Sequence, residues 1–133
     1  MVLLILLVLA LFVIQTLLPN RFRSRGSAGR ENLLAEALGP RDDQPPLTRI
    51  GGRAERALAN MHEALPVFLA LALLNLVTGT AGPMAVNGAT IFLVARVLYV
   101  PAYLSGVVGV RTAIWAVSWV GLVLLLVPLL DRI

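Results

Sequence analysis

The chain has 133 residues, room for a single domain, and 59% of them are hydrophobic against 14% charged. With a mean hydropathy of +0.88, that balance excludes an ordinary soluble domain. Cysteine is absent, which rules out disulfides, thiolate metal sites and a protein thiol nucleophile. All 11 basic residues are arginine and the net charge is only +4. Despite a pI of about 11.1, these arginines flank apolar runs, which argues against a nucleic-acid role.

The first run, MVLLILLVLALFVIQTLL, holds 18 residues without a charge, enough to span or nearly span a bilayer. It lacks a basic leading segment and a small-x-small cleavage site, so it reads as a retained helix over about residues 1–18. A long loop follows over about residues 19–51. Within it, ENLLAEALG places Leu33, Leu34, Ala37 and Leu38 on one side, with Gly39 as a stop. That pattern predicts a short amphipathic helix at the headgroups. PRDDQPP reads as loop, with Asp42 and Asp43 solvated.

From Ala64 to Ala95 there is again no charge, but TGTAGP interrupts the run at residues 78–83. The spacing predicts a second helix over about 52–77, a third over about 84–104 and a fourth over about 111–130. An unpaired backbone is prohibitively costly in lipid, so helices are the form these runs must take. Pro66, Pro101 and Pro128 are points where such helices can bend. No GxxxG pattern stands out, so packing is expected to rest on scattered alanines and shape. The expected fold is all-α, an integral membrane four-helix bundle forming one domain over residues 1–133.

Charge asymmetry orients it. Arg21, Arg23, Arg25, Arg30, Arg41, Arg49, Arg53 and Arg56 crowd the first connection, whereas the second carries no charge. By the positive-inside rule the first loop is cytoplasmic, and Arg111, before the fourth helix, faces the same side.

At about 100° per residue, Arg53, Arg56, Asn60 and Glu63 share one stripe of the second helix. Arg96, Tyr99 and Tyr103 repeat the device on the third. Each buried ion costs about 2.5–3.5 kcal/mol on insertion scales, so such residues normally face the bundle interior or a wet cavity. Glu63 and Arg96 are expected to be neighbours. The plainer alternative is an interhelical polar network that binds nothing. Four arginines (Arg53, Arg56, Arg96, Arg111) against Glu63 and Glu55 leave a surplus of cations, which favours an anionic ligand with carboxylates for the arginines and an amine for Glu63.

RAERALANMHEALPVFLALALL resembles the second-helix signature of the MAPEG family, the membrane-associated proteins in eicosanoid and glutathione metabolism. Arg56, Asn60, Glu63 and Pro66 fit its pattern. ARVLYVPAYLSGVVGVRTAIW is similar to the family's third helix and the turn into its fourth, with Arg96, Tyr99, Tyr103 and Arg111 in place. The likeness covers essentially the whole chain and is to a bacterial-type member resembling microsomal glutathione transferases. It implies a homotrimer in the bacterial inner membrane, with glutathione between subunits near the cytoplasmic face. Arg53, Arg56, Asn60, Glu63, Arg96, Tyr99 and Tyr103 would hold glutathione, and Arg111 would stabilise its thiolate. A hydrophobic small molecule from the bilayer would be the co-substrate.

Some positions depart from the family. Ala64 follows Glu63 where the leukotriene-forming synthase has tyrosine. Thr112 stands beside Arg111 where prostaglandin E synthase has serine, and Asn32 falls near that enzyme's loop acid. Eicosanoid synthesis is therefore not the expected activity. A glutathione-dependent transferase or peroxidase acting on apolar electrophiles or hydroperoxides is preferred. Alternatives are a small four-helix transporter with Glu63 as its coupling site, and a non-catalytic member that binds glutathione or lipid. His62, the one histidine, points away from the polar stripe, and no metal site is expected. Trp115 and Trp119 read as lipid or subunit contacts.

Overall fold

The computed structural model describes residues 1–23 and 46–132. The amphipathic helix expected at residues 31–39, together with Asn32, Asp42 and Asp43, lies outside the described residues. Four helices form the described chain: α1 (Val2–Arg21), α2 (Arg49–Val77), α3 (Pro83–Ser105) and α4 (Val108–Leu130). All four are long and apolar enough to cross a membrane. The chain is an all-α, multi-pass integral membrane protein. Its helices run unbroken through Pro66, Pro101 and Pro128.

The helix ends differ from the hydropathy limits where caps and glycines act. Helix α2 begins about one turn earlier than the expected start near residue 52, where Thr48 caps it: the Thr48 Oγ1 accepts from the Gly51 amide at 3.1 Å. The same residue ties α2 to the end of α1. Its hydroxyl and its amide both donate to the Phe22 carbonyl, at 2.7 and 2.9 Å, beside a bridge between Arg23 and Leu47. A Cβ on Gly51 would come within 2.6 Å of the Phe22 oxygen, so this stitch requires glycine. At α3's far end Gly106 adopts φ +81 and ends the helix, a left-handed turn that glycine adopts without strain. The arginine-bearing ends of α1 and α2 and the α3–α4 turn therefore share one end of the bundle.

The core lies between all four helices, with Leu122 and Leu125 of α4 joining residues of α1, α2 and α3. Ile5 and Val8 of α1 meet Met61 and Phe68 of α2 and Phe92 of α3. The rings of Phe68 and Phe92 stack with centroids 4.5 Å apart. Helices α3 and α4 meet at a pair of glycines rather than at alanines alone, which corrects the packing expected from sequence. A Cβ on Gly88 would sit 2.7 Å from the Gly121 carbonyl oxygen, and one on Gly121 would sit 2.7 Å from that of Gly88. Backbone lies on backbone there, the close approach that small residues permit between membrane helices.

Candidate functional site

The polar stripe of α2 divides into two rows. Arg53 and Asn60, seven residues apart, lie about 60° around the helix from Arg56 and Glu63, also seven apart. That modest rotation decides their fates. Arg53 and Asn60 are half-buried and bond to α3, whereas Arg56 and Glu63 are exposed on the outside of the chain. Neither Arg56 nor Glu63 makes a hydrogen bond or ion pair among the described residues. No hydrogen bond or ion pair joins Glu63 to Arg96 among the described residues; Arg96 bonds to Asn60 instead.

Among the described residues Arg96 is the largest fully buried side chain, 1% exposed. Its Nη1 donates to the Asn60 Oδ1 at 2.6 Å across the α2–α3 interface. Its guanidinium lies 5.1 Å from the Phe92 ring centroid and 5.6 Å from that of Tyr99, distances at which a cation is attracted by a ring face. The other edge of the guanidinium, Nε and Nη2, is buried and donates to no partner among the described residues. That edge is the fork that grips a carboxylate through two parallel bonds.

The file continues along α3. Tyr99 and Tyr103 follow Arg96 at three and seven residues, which keeps them on one face, and their ring centroids are 5.4 Å apart. The Arg111 guanidinium then lies 4.9 Å from the Tyr103 ring. Asn60, Arg96, Tyr99, Tyr103 and Arg111 thus form a continuous chain of neighbours from mid-helix α2 to the start of α4. Arg111 sits in the first turn of α4, where no acidic residue and no side-chain cap offsets the free amides. Arginine and helix N-terminus add their positive fields, which favours an anion at that place. Thr112, its neighbour, is exposed.

Arg53 lies elsewhere. Its Nη1 donates to the Leu104 carbonyl at 2.8 Å, and its guanidinium rests on Gly106, where any Cβ would overlap it. It grips the α3–α4 turn rather than the Arg96–Tyr103 file.

Two buried side-chain amides escape a search for charged stripes. Gln15 of α1 is 4% exposed, and its Oε1 has no partner among the described residues. Phe12 meets His62 with ring centroids 5.0 Å apart, so Gln15, one turn on, lies at about the depth of Asn60 and Arg96. Asn75 is fully buried near the other end; its Nδ2 donates to the Leu71 and Leu125 carbonyls, both at 2.8 Å, and Thr80 donates to its Oδ1. Their signal in the sequence is an amide inside an apolar run, a costly placement without partners. His62, as its helical angle predicts, turns toward α1 and away from the polar rows. No group of potential metal ligands occurs among the described residues. The rings of Trp115 and Trp119 meet edge to face at 5.7 Å and stand exposed on α4.

No curated protein matches the chain. The model of the MAPEG family matches residues 1–130, nearly the full length and all four helices that hold this site, and the chain belongs to the MAPEG family.

Proposed function

We propose that the protein is a membrane-embedded glutathione-dependent transferase or peroxidase, working on hydrophobic electrophiles or hydroperoxides as a homotrimer. The observation that carries this reading is the outward row of α2. Arg56 and Glu63 are exposed at the mouth of a membrane span, with no hydrogen bond or ion pair among the described residues. Charges so placed are costly in lipid and normally face protein or water. A second copy of the chain and a charged ligand between the copies would cover them. Glutathione fits chemically, since it offers two carboxylates to guanidinium groups and one ammonium to Glu63. The first loop would face the cytoplasm of a bacterial inner membrane, by the excess of arginine at that end.

In this reading Arg56 and Glu63 hold glutathione directly, backed by Asn60, Arg96, Tyr99 and Tyr103. A free thiol has a pKa of about 8.5, and a cation beside a helix N-terminus lowers it. Arg111 and the start of α4 would hold the sulfur as thiolate. The thiolate then donates its electron pair to an electrophilic carbon, a C–S bond forms, and the leaving group departs with its bonding pair. With a hydroperoxide, the sulfur attacks the terminal oxygen and the O–O bond breaks. The alkoxide takes up a proton and leaves as alcohol. A second glutathione displaces water from the oxidised sulfur, giving the disulfide. Fixing the tripeptide beside a co-substrate dissolved in the bilayer supplies the positional part of the catalysis.

The test is calorimetric titration of the purified protein in detergent with glutathione, followed by conjugation of a model electrophile. Saturable binding with conjugation is the expected result. Saturable binding without conjugation or peroxide reduction would point to a non-catalytic binding member. Absence of saturable binding would overturn the proposal, and proton-driven uptake into proteoliposomes would then favour a transporter built around Glu63.

A further inference from the structure

We infer that Arg53 is a positioning residue for Arg111: it clamps the α3–α4 turn and so sets where the first turn of α4 presents its cation. This reassigns Arg53 from the ligand set implied by the sequence pattern, and it rests on the reading of Arg111 given above.

The clamp has two attachments to the same turn. The Arg53 Nη1 donates to the Leu104 carbonyl at 2.8 Å, 51 residues away in sequence. That carbonyl is among the last of α3, which have no partner within their own helix. The end of a helix carries partial negative charge, so a guanidinium there is doubly favoured. The second attachment is steric. Gly106 turns with φ +81, and the Arg53 guanidinium fills the space where a side chain would stand. The glycine thus serves both the left-handed turn and the seat of the arginine.

The base of the clamp is anchored as well. Arg53 stands just over one turn beyond Thr48, whose two bonds to the Phe22 carbonyl join α2 to α1. The grip on α3 is therefore referred back to the body of the bundle. Only Gly106 and Val107 separate α3 from α4, so holding Leu104 and Gly106 leaves the first turn of α4 little freedom. Arg111 lies in that turn and rests on the ring of Tyr103, the residue next to Leu104. Two arginines from different helices thus hold adjacent residues of one helix end. Arg53 is half-buried with its Nη1 already engaged, whereas Arg56 is exposed and makes no such bond.

Three variants test the inference: Arg53→Ala, Arg53→Lys and Gly106→Ala. In each, glutathione affinity is measured by calorimetry and turnover at saturating glutathione by conjugation of a model electrophile. Backbone amide exchange over residues 106–111 is followed by mass spectrometry. Arg53→Ala is expected to lower kcat about tenfold while glutathione Kd changes less than about twofold, the split of a residue that acts after binding. Exchange over residues 106–111 is expected to accelerate. Arg53→Lys, which can still donate to the Leu104 carbonyl, is expected to recover much of the turnover and protection. Gly106→Ala is expected to reproduce the loss with Arg53 intact. A tenfold weaker Kd at unchanged kcat would make Arg53 a direct ligand and overturn the inference, as would unchanged exchange over residues 106–111. If the native protein binds no glutathione, the functional reading fails by itself, and the exchange data on the three variants still decide the clamp.

Discussion

Asn60 accepts a hydrogen bond from Arg96 at 2.6 Å, and among the described residues this is the one hydrogen-bond partner of the largest fully buried side chain. Two further nitrogens of Arg96 are already without partners. Replacing Asn60 by alanine would leave a third, deep between α2 and α3. Hydrogen bonds to charged groups contribute about 1.5–3 kcal/mol, so Asn60→Ala is expected to lose about that much stability. Asn60→Asp keeps the acceptor and adds an opposite charge, and is expected to retain it. Thermal unfolding in detergent checks both, and equal midpoints for the native protein and Asn60→Ala would contradict the account.

The spans were legible because lipid imposes a strong rule: an apolar run must be helical. Their inner ends were less so. Thr48 and Gly51 extend α2 toward the polar end through a cap and a close contact with Phe22, and hydropathy carries no trace of either. The polar stripe was legible as a stripe, since Arg53, Arg56, Asn60 and Glu63 lie within a narrow sector at about 100° per residue. Its division was not. A rotation of about 60° separates residues that reach α3 from residues that leave the chain, and only the position of the neighbouring helix says where the division falls. The glycine contact stayed hidden for a similar reason. Gly88 and Gly121 lie on different helices, so no motif within either one announces them.

That contact makes a prediction of its own. Adding a methyl at Gly88 would bring it within 2.7 Å of the Gly121 oxygen and 3.0 Å of the Leu125 amide nitrogen. Both are backbone atoms, so relief requires the helices to separate. Overpacking of this kind costs about 1–3 kcal/mol. Gly88→Ala and Gly121→Ala are each expected to lower the unfolding midpoint in detergent. Gly109→Ala is the control, because a Cβ there meets nothing within 4 Å. Equal behaviour of all three variants would contradict the close packing of α3 on α4.

The outward row should separate binding from folding. Arg56 and Glu63 are exposed and bond to nothing among the described residues. Arg56→Ala and Glu63→Gln are therefore expected to leave secondary structure, read by far-ultraviolet circular dichroism, unchanged. If the row receives glutathione, each lost charged contact should weaken binding by about tenfold or more, since hydrogen bonds to charged groups contribute about 1.5–3 kcal/mol. Calorimetry reads the difference. Undiminished glutathione affinity in both variants would move the ligand away from this row.

Arg111 makes the sharpest chemical prediction, because a thiolate site has a pH signature. A cation near the sulfur favours the charged form and lowers the thiol pKa below its ordinary value of about 8.5. Removing the cation raises it again. Arg111→Ala should therefore lose most activity below the ordinary thiol pKa, where its bound glutathione is protonated and the native enzyme's is not. Well above that pKa both forms hold thiolate, and the gap should narrow to the contribution of positioning alone. The acid limb of the kcat profile is expected to move to higher pH by about one unit for each tenfold loss of thiolate stabilisation. Arg111→Lys keeps a positive charge but loses the planar guanidinium over Tyr103. It should recover part of the shift. Ultraviolet absorbance of the bound thiolate, followed against pH, checks the assignment independently of turnover. If the limb and the absorbance stay in place while the rate falls equally at every pH, Arg111 acts by packing on Tyr103 and not on the sulfur.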